Sequence, residues 1–167
     1  MLSKKAQDAL NDQIQKEFAS AYLYLAMAAH LENRIFPGMA HWMRVQAHEE
    51  FGHAMRLFDF VNAREGRVML QAITQPQADF GTPDKVFEHV LEHERRVTES
   101  INKLYELAVS ERDYPTQNHL QWFINEQVEE EKTAKEVLDK IRAAEGQGYV
   151  LLLLDQQLGQ RQPATAT

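Results

Sequence analysis

The chain has 167 residues, a formal net charge of −7 and no cysteine. That length supports one domain with a sizeable core, and the missing cysteines exclude disulfides and thiolate metal sites while agreeing with a reducing compartment. The acidic balance, without any cluster of lysines and arginines, disfavours a nucleic-acid partner, and the longest apolar run, Tyr149 to Leu154, falls far short of the roughly 20 residues of a membrane helix. The start Met1-Leu2-Ser3-Lys4-Lys5 leads into an amphipathic pattern with no apolar leader, so a soluble, cytoplasmic protein with no membrane association is expected.

Ser3 can cap a first helix over about 4–33, which Ile35-Phe36-Pro37-Gly38 breaks. A second helix is expected over about 39–66. Residues 67–82 contain Thr74, Gln75, Pro76 and Gly81 without a sustained helical period, and read as a long connection. Thr82 is expected to cap a third helix over about 83–111, with Pro83 at its first position and Asp84 in its first turn. Asp113-Tyr114-Pro115 makes the next break, because proline pushes the residue before it out of the helical region. A fourth helix follows over about 115–145. Gly146 and Gly148 set off a short apolar fifth helix over about 149–158, and a tail, 159–167, lacks apolar periodicity and is expected to fray.

Helices of about 27 to 31 residues are about 40 to 46 Å long, and the connection, if extended, reaches about 50 Å, enough to travel the length of a neighbour. Short turns join the first helix to the second and the third to the fourth, and the long connection joins two parallel helices. The expected fold is all-α: a four-helix bundle with one long crossover and a short fifth C-terminal helix, residues 1–167 forming a single domain.

In each bundle helix, the alternating three-and-four frame that collects most apolar residues marks the buried seam. The frames are Leu10, Ile14, Glu17, Ala21, Tyr24, Ala28, Leu31; Ala40, Met43, Ala47, Glu50, Ala54, Leu57, Val61; Phe87, Val90, Glu94, Val97, Ile101, Leu104, Ala108; and Leu120, Phe123, Gln127, Glu130, Ala134, Val137, Ile141. Each is apolar at both ends and interrupted near its middle by Glu17, Glu50, Glu94, or Gln127 with Glu130. Mid-helix residues meet mid-helix residues whichever way a helix points, so four carboxylates should converge at one level. His53, three residues after Glu50, lies one turn further along the same face. No lysine or arginine occupies any stripe.

Buried carboxylates require a counter-charge, a proton or a metal. Individually satisfied polar residues explain one acid more readily than four at one depth, and a proton-sharing cluster leaves His53 unexplained. Two divalent cations would balance four carboxylates, and an oxygen-rich set with one imidazole suits iron or manganese better than zinc. Glu126, Glu129 and Glu130, three and four apart, share one face beside this level.

With Glu17 and Tyr24, Glu49-Glu50-x-x-His53, Glu94, Gln127, and the segment from Gly148 to Leu158 with Asp155, the sequence resembles the ferritins, and bacterial non-haem ferritins more than haem-containing bacterioferritins. The resemblance implies a ferritin-like domain that stores iron and acts as a ferroxidase, oxidising Fe(II) with O2 or hydrogen peroxide and depositing ferric oxide in a hollow homo-oligomeric shell of 24 subunits. It places a first iron on Glu17, Glu50 and His53, and a second on Glu50, Glu94 and Glu130, with Gln127 adjacent. A third site would use Glu49, Glu126, Glu129 and Glu130. Tyr24 would be a redox-active tyrosine, no haem would be present, and the fifth helix would lie at the four-fold axis. The second Glu-x-x-His of bacterioferritins and rubrerythrins is replaced here by Gln127, Glu130 and Thr133, which weakens a rubrerythrin-type oxygenase or peroxidase reading. Gln117 and Leu120 stand where animal ferritins line a three-fold channel with acids. The intra-bundle ligand set and fifth helix argue against a DNA-protecting mini-ferritin. His48, His89, His93 and His119 are read as surface or packing histidines.

Overall fold

A computed structural model describes residues 1–144 and 146–163. The expected end of the fourth helix at residue 145 and the tail positions 164–167 lie outside the described residues. The elements are α1 (Lys4–Asn33), α2 (Pro37–Ala63), α3 (Pro83–Ser110), α4 (Tyr114–Ala143) and α5 (Gly148–Leu158). They form a four-helix bundle with one crossover and a short C-terminal helix, and no described residue is in a strand. No helix among the described residues is long and apolar enough to cross a membrane.

Local chemistry sets the boundaries. Ser3 accepts from the Ala6 amide at 3.0 Å and starts α1. Pro37 begins α2, two residues before the expected start, because its missing N–H is one a helix leaves unbonded at that position anyway. The same helix stops at Ala63 rather than Gly66: Glu65 takes a left-handed φ of 58°, and the Gly66 amide bonds back to the Val61 carbonyl at 2.9 Å. Thr82 precedes α3 but makes no side-chain cap. Its hydroxyl donates instead to Asp84 at 2.5 Å, which corrects the expected capping role. Asp113 caps α4 through Thr116 and receives Arg64 at 2.9 Å, tying the end of α2 to the start of α4.

The crossover lies along α1. Gln7 accepts from the Arg67 amide, the Asn11 amide group bonds Arg67 and Met69, and Gln15 reaches the Ala72 carbonyl. At the far end His30 meets the Gly81 carbonyl at 2.8 Å, and Phe80 enters the core. This path delivers α3 parallel to α2. Two apolar clusters fill the bundle. One contains Met27, Leu31, Trp42, Phe87 and Leu138, and the other Leu10, Leu57, Ile101, Leu120 and Phe123. The polar level lies between them.

The short helix α5 docks where α2 begins. No side chain of its own caps α2, and Asp155 supplies the acceptors, taking the Gly38 amide at 3.0 Å and the Met39 amide at 2.8 Å. A Cβ at Gly38 would stand 1.7 Å from the Asp155 carbonyl oxygen, so only glycine permits this approach. Asp155→Ala should lower stability by about 1 to 2 kcal/mol, the usual loss for a cap. Gly38→Ala should cost more, because backbone must move. Thermal melts of both variants matching wild type would show that the joint contributes nothing.

Candidate metal centre

The mid-helix acids meet as their periodicity requires. Glu17, Glu50, Glu94 and Glu130 come from α1, α2, α3 and α4, and none is more than 6% exposed. Ligand atoms of Glu17, Glu50 and His53 lie within 4.8 Å of one another, and so do those of His53, Glu126 and Glu130. His53 therefore belongs to both groups. Its Nδ1 is 3.4 Å from Glu50, and its ring stands edge-on to Trp122 and Phe123, which hold its plane.

Each acid has a neutral donor. The Gln13 amide donates to Glu17 Oε1 at 2.7 Å, and the Gln46 amide donates to Glu130 Oε2 at 2.7 Å and reaches Glu50 Oε1 at 3.4 Å. The Tyr24 hydroxyl donates to Glu94 Oε1, while the Gln127 amide reaches Glu94 Oε2, the Glu94 carbonyl and Thr98, each at 3.2 Å. Glu94 thus has both oxygens engaged and lies outside the two groups above. Glu17 Oε2 and Glu50 Oε2 are buried without a hydrogen-bond partner among the described residues. A buried acceptor left in that state costs on the order of 1–3 kcal/mol, more when charged, and a cation removes the penalty. The donor set of carboxylate oxygens with one imidazole fits a hard or borderline divalent metal.

Electrostatics agree. Burial first, then the Glu50 charge, pushes the Glu17 carboxyl well above its ordinary range. Glu50 is raised by burial and by Glu94 and Glu130, and Glu94 is raised by burial. Glu130 is raised to about 8, by burial and then by Glu94. Without metal the level holds protons that a divalent cation would displace.

The expected outer acids are dispersed. Glu126 joins His53 and Glu130. Glu129 is exposed and 3.7 Å from Lys132. Glu49 receives the Arg161 guanidinium at 2.5 Å, and that guanidinium lies 4.4 Å over the Trp42 ring. Beside the level, a groove bordered by Thr98, Ile124, Gln127, Val128 and Glu131 opens between α3 and α4. Among the remaining histidines, His48 is exposed and His89 packs on Phe80. His93 bonds Ser20 and meets Tyr24 edge-on, and His119 stacks on Phe60. Burial lowers both His93 and His119 to about 4, so they are neutral packing groups near pH 7.

Sequence reading overlooked Gln13, Gln46 and Arg161. The first two carried a signal: each stands four residues before a buried acid, Gln13 before Glu17 and Gln46 before Glu50, the spacing that places side chains together on a helix. Arg161 offered none, since its contacts depend on where α5 docks.

The model of the ferritin-like domain matches residues 7–144. The chain is 44% identical over 161 residues to a bacterial non-heme ferritin of Bacteroides fragilis, spanning 96% of this chain and 100% of that one. It is 35% identical over 158 residues to the bacterial non-heme ferritin of Escherichia coli O6:H1, spanning 95% of this chain and 96% of that one. Among solved structures, an open pore ferritin from Archaeoglobus fulgidus superposes with a TM-score of 0.96 at 46% identity, covering 97% of this chain and 100% of that chain.

The raised carboxyl groups set a pH dependence for the metal-free protein. Glu130 keeps its proton up to about 8 when folded, whereas unfolded it loses it near its ordinary 4.5. The folded state then binds more protons across that window, so stability falls as pH rises through it. Melting temperatures of the metal-free protein should decline from about pH 5 to pH 8. Glu130→Gln, neutral throughout, should make the decline shallower while Glu17, Glu50 and Glu94 sustain the rest, and a wild-type curve flat across the window would refute the assignment.

Proposed function

The chain belongs to the ferritin-like family, and on that premise we propose that it is an iron-storage ferroxidase whose reaction takes place at the buried polar level of its own bundle. The observation that carries this reading is the convergence of Glu17, Glu50, Glu94 and Glu130 with His53, no lysine or arginine in their stripes and two buried carboxylate oxygens with no hydrogen-bond partner among the described residues. Such a level is suited to take up Fe(II) as substrate and to lose protons as it does so.

A first Fe(II) is assigned to Glu17, Glu50 and His53, whose ligand atoms already lie together. A second is assigned to Glu50, Glu94 and Glu130, with Glu50 shared. The charges of Glu94 and Glu130, which together with burial raise the Glu50 carboxyl, support their facing one position. Holding both ions at fixed spacing lets each give one electron, so that two electrons and two protons take O2 to hydrogen peroxide or hydrogen peroxide to two waters, and the Fe(III) formed hydrolyses and passes outward to mineral. Tyr24 is assigned as the redox-active tyrosine, a reading its hydrogen bond to Glu94 supports, and Gln127 donates to the same carboxylate. A third, outer iron position is assigned to Glu49, Glu126, Glu129 and Glu130. Glu126 stands against Glu130 for that purpose, whereas Glu49 would have to exchange Arg161 for metal.

Assembly into a shell of 24 copies is supported by α5, which leaves Tyr149, Leu152 and Leu153 exposed on one chain. Light scattering should give a mass close to twenty-four times the 19.3 kDa of one chain, and a monomer or dimer would sink the shell.

Aerobic addition of Fe(II) to the metal-free protein should give a fast rise in ferric absorbance that Glu50→Ala removes. Removing a shared ligand should cost more than the 10- to 100-fold typical of groups behind the ligands. Equal fast phases in the two proteins would refute the dinuclear assignment.

A further inference from the structure

Gln13 and Gln46 are buried deeper than the reading above requires. Gln13 is 1% exposed and Gln46 0%. Residues that only fill space at such positions are better served by leucine or methionine, because a buried amide costs free energy wherever its donors and acceptor are not all matched. Gln46 shows that cost directly: its Oε1 has no partner, while its N–H groups are given to Glu130 at 2.7 Å and Glu50 at 3.4 Å. Among the described residues its side-chain partners are two acids of the metal level, one on its own helix and one on the helix across the bundle.

Gln13 makes the matching contact on α1, and its orientation is determined from outside. Ser100 Oγ donates to Gln13 Oε1 at 2.6 Å, and Lys16 Nζ donates to Ser100 Oγ at 2.6 Å. With its oxygen engaged by Ser100, Gln13 can present only N–H to Glu17, at 2.7 Å. In each case one carboxylate oxygen is taken by an amide. The rotation of that carboxylate is thereby set, and its other oxygen is turned to whatever lies beyond. At Glu17 that other oxygen, Oε2, is buried and unpartnered.

We propose that Gln13 and Gln46 are positioning residues, each serving one metal position: Gln13 aims Glu17 at the first, and Gln46 aims Glu130 at the second. The inference rests on the two-position reading above. It assigns no ligand role to either amide. Neutral donors suit the task because they orient a carboxylate without competing for its charge, as a lysine or arginine would.

The test is a crossed binding experiment on the metal-free assembled protein, titrated anaerobically with Fe(II) or with Co(II) as a spectroscopic probe. Gln13→Met and Gln46→Met keep the length and remove the donor. Gln46→Met should weaken binding at the second position by about tenfold or more and the first far less, since its contact to the shared Glu50 is long at 3.4 Å, whereas Gln13→Met should weaken the first and leave the second unchanged. Repeating Gln46→Met in a Glu130→Ala background isolates the contact: if the amide acts through Glu130, it has no further effect there, whereas Gln13→Met still weakens what binding remains. A variant that fails to assemble is replaced by the corresponding leucine. Wild-type affinity in both variants, equal weakening of both positions in each, or a full Gln46→Met effect without Glu130 would overturn the inference. Wild-type protein that binds fewer than two ions per subunit would instead overturn the two-position reading itself.

Discussion

The structure is governed by the cost of keeping four carboxylates in the middle of an apolar bundle with no basic side chain among them. An isolated carboxylate moved into such an interior costs several kcal/mol even after relaxation. Glu17, Glu50, Glu94 and Glu130 are tolerated because they are concentrated at one level rather than scattered. Apolar clusters close the bundle above and below them, so the energy lost in the middle is offset by burial at the two ends. The neutral donors Gln13, Gln46, Gln127 and Tyr24 then hold the acids without cancelling their charge, and the remaining imbalance is what makes the level a cation trap.

Much of this was legible in the amino-acid sequence because helical periodicity is a strong signal over thirty residues. All the stripe positions from Leu10 to Leu31, Ala40 to Val61, Phe87 to Ala108 and Leu120 to Ile141 are buried. The acids share one depth for the same reason, since the helices have similar lengths and cross at their middles. Boundaries were less legible. Thr82 looked like a cap and is not one, because its hydroxyl had a nearer carboxylate in Asp84. Glu65 gave no warning of the left-handed turn that ends α2. Residues of similar type also diverged: Glu49, adjacent to Glu50 in sequence, faces Arg161, because neighbours on a helix point about 100° apart. Gln13 and Gln46 stand outside the apolar frame, and a search for breaks within the frame does not find them.

The crossover is shaped by the same economy of polar groups. An extended segment between two long helices carries backbone amides that need partners. Gln7, Asn11 and Gln15, spaced four apart along α1, provide them, which is why one flank of α1 is rich in amide side chains while the opposite flank carries Glu17 and Tyr24. One helix therefore serves as a track for the connection and as a wall of the metal level.

The docking of α5 has a consequence for how the chain reaches this state. The start of α2, which carries Glu50 and His53, is completed by Asp155 through contacts 116 and 117 residues apart in the chain. During synthesis, α1 and α2 emerge and can pair long before that carboxylate exists. Until then the Gly38 and Met39 amides at the entry to α2 lack that acceptor. A helix made after the four of the bundle thus finishes the start of the second. The contact that closes the start of α2 is therefore also the one that holds α5, with its exposed Tyr149, Leu152 and Leu153, in place.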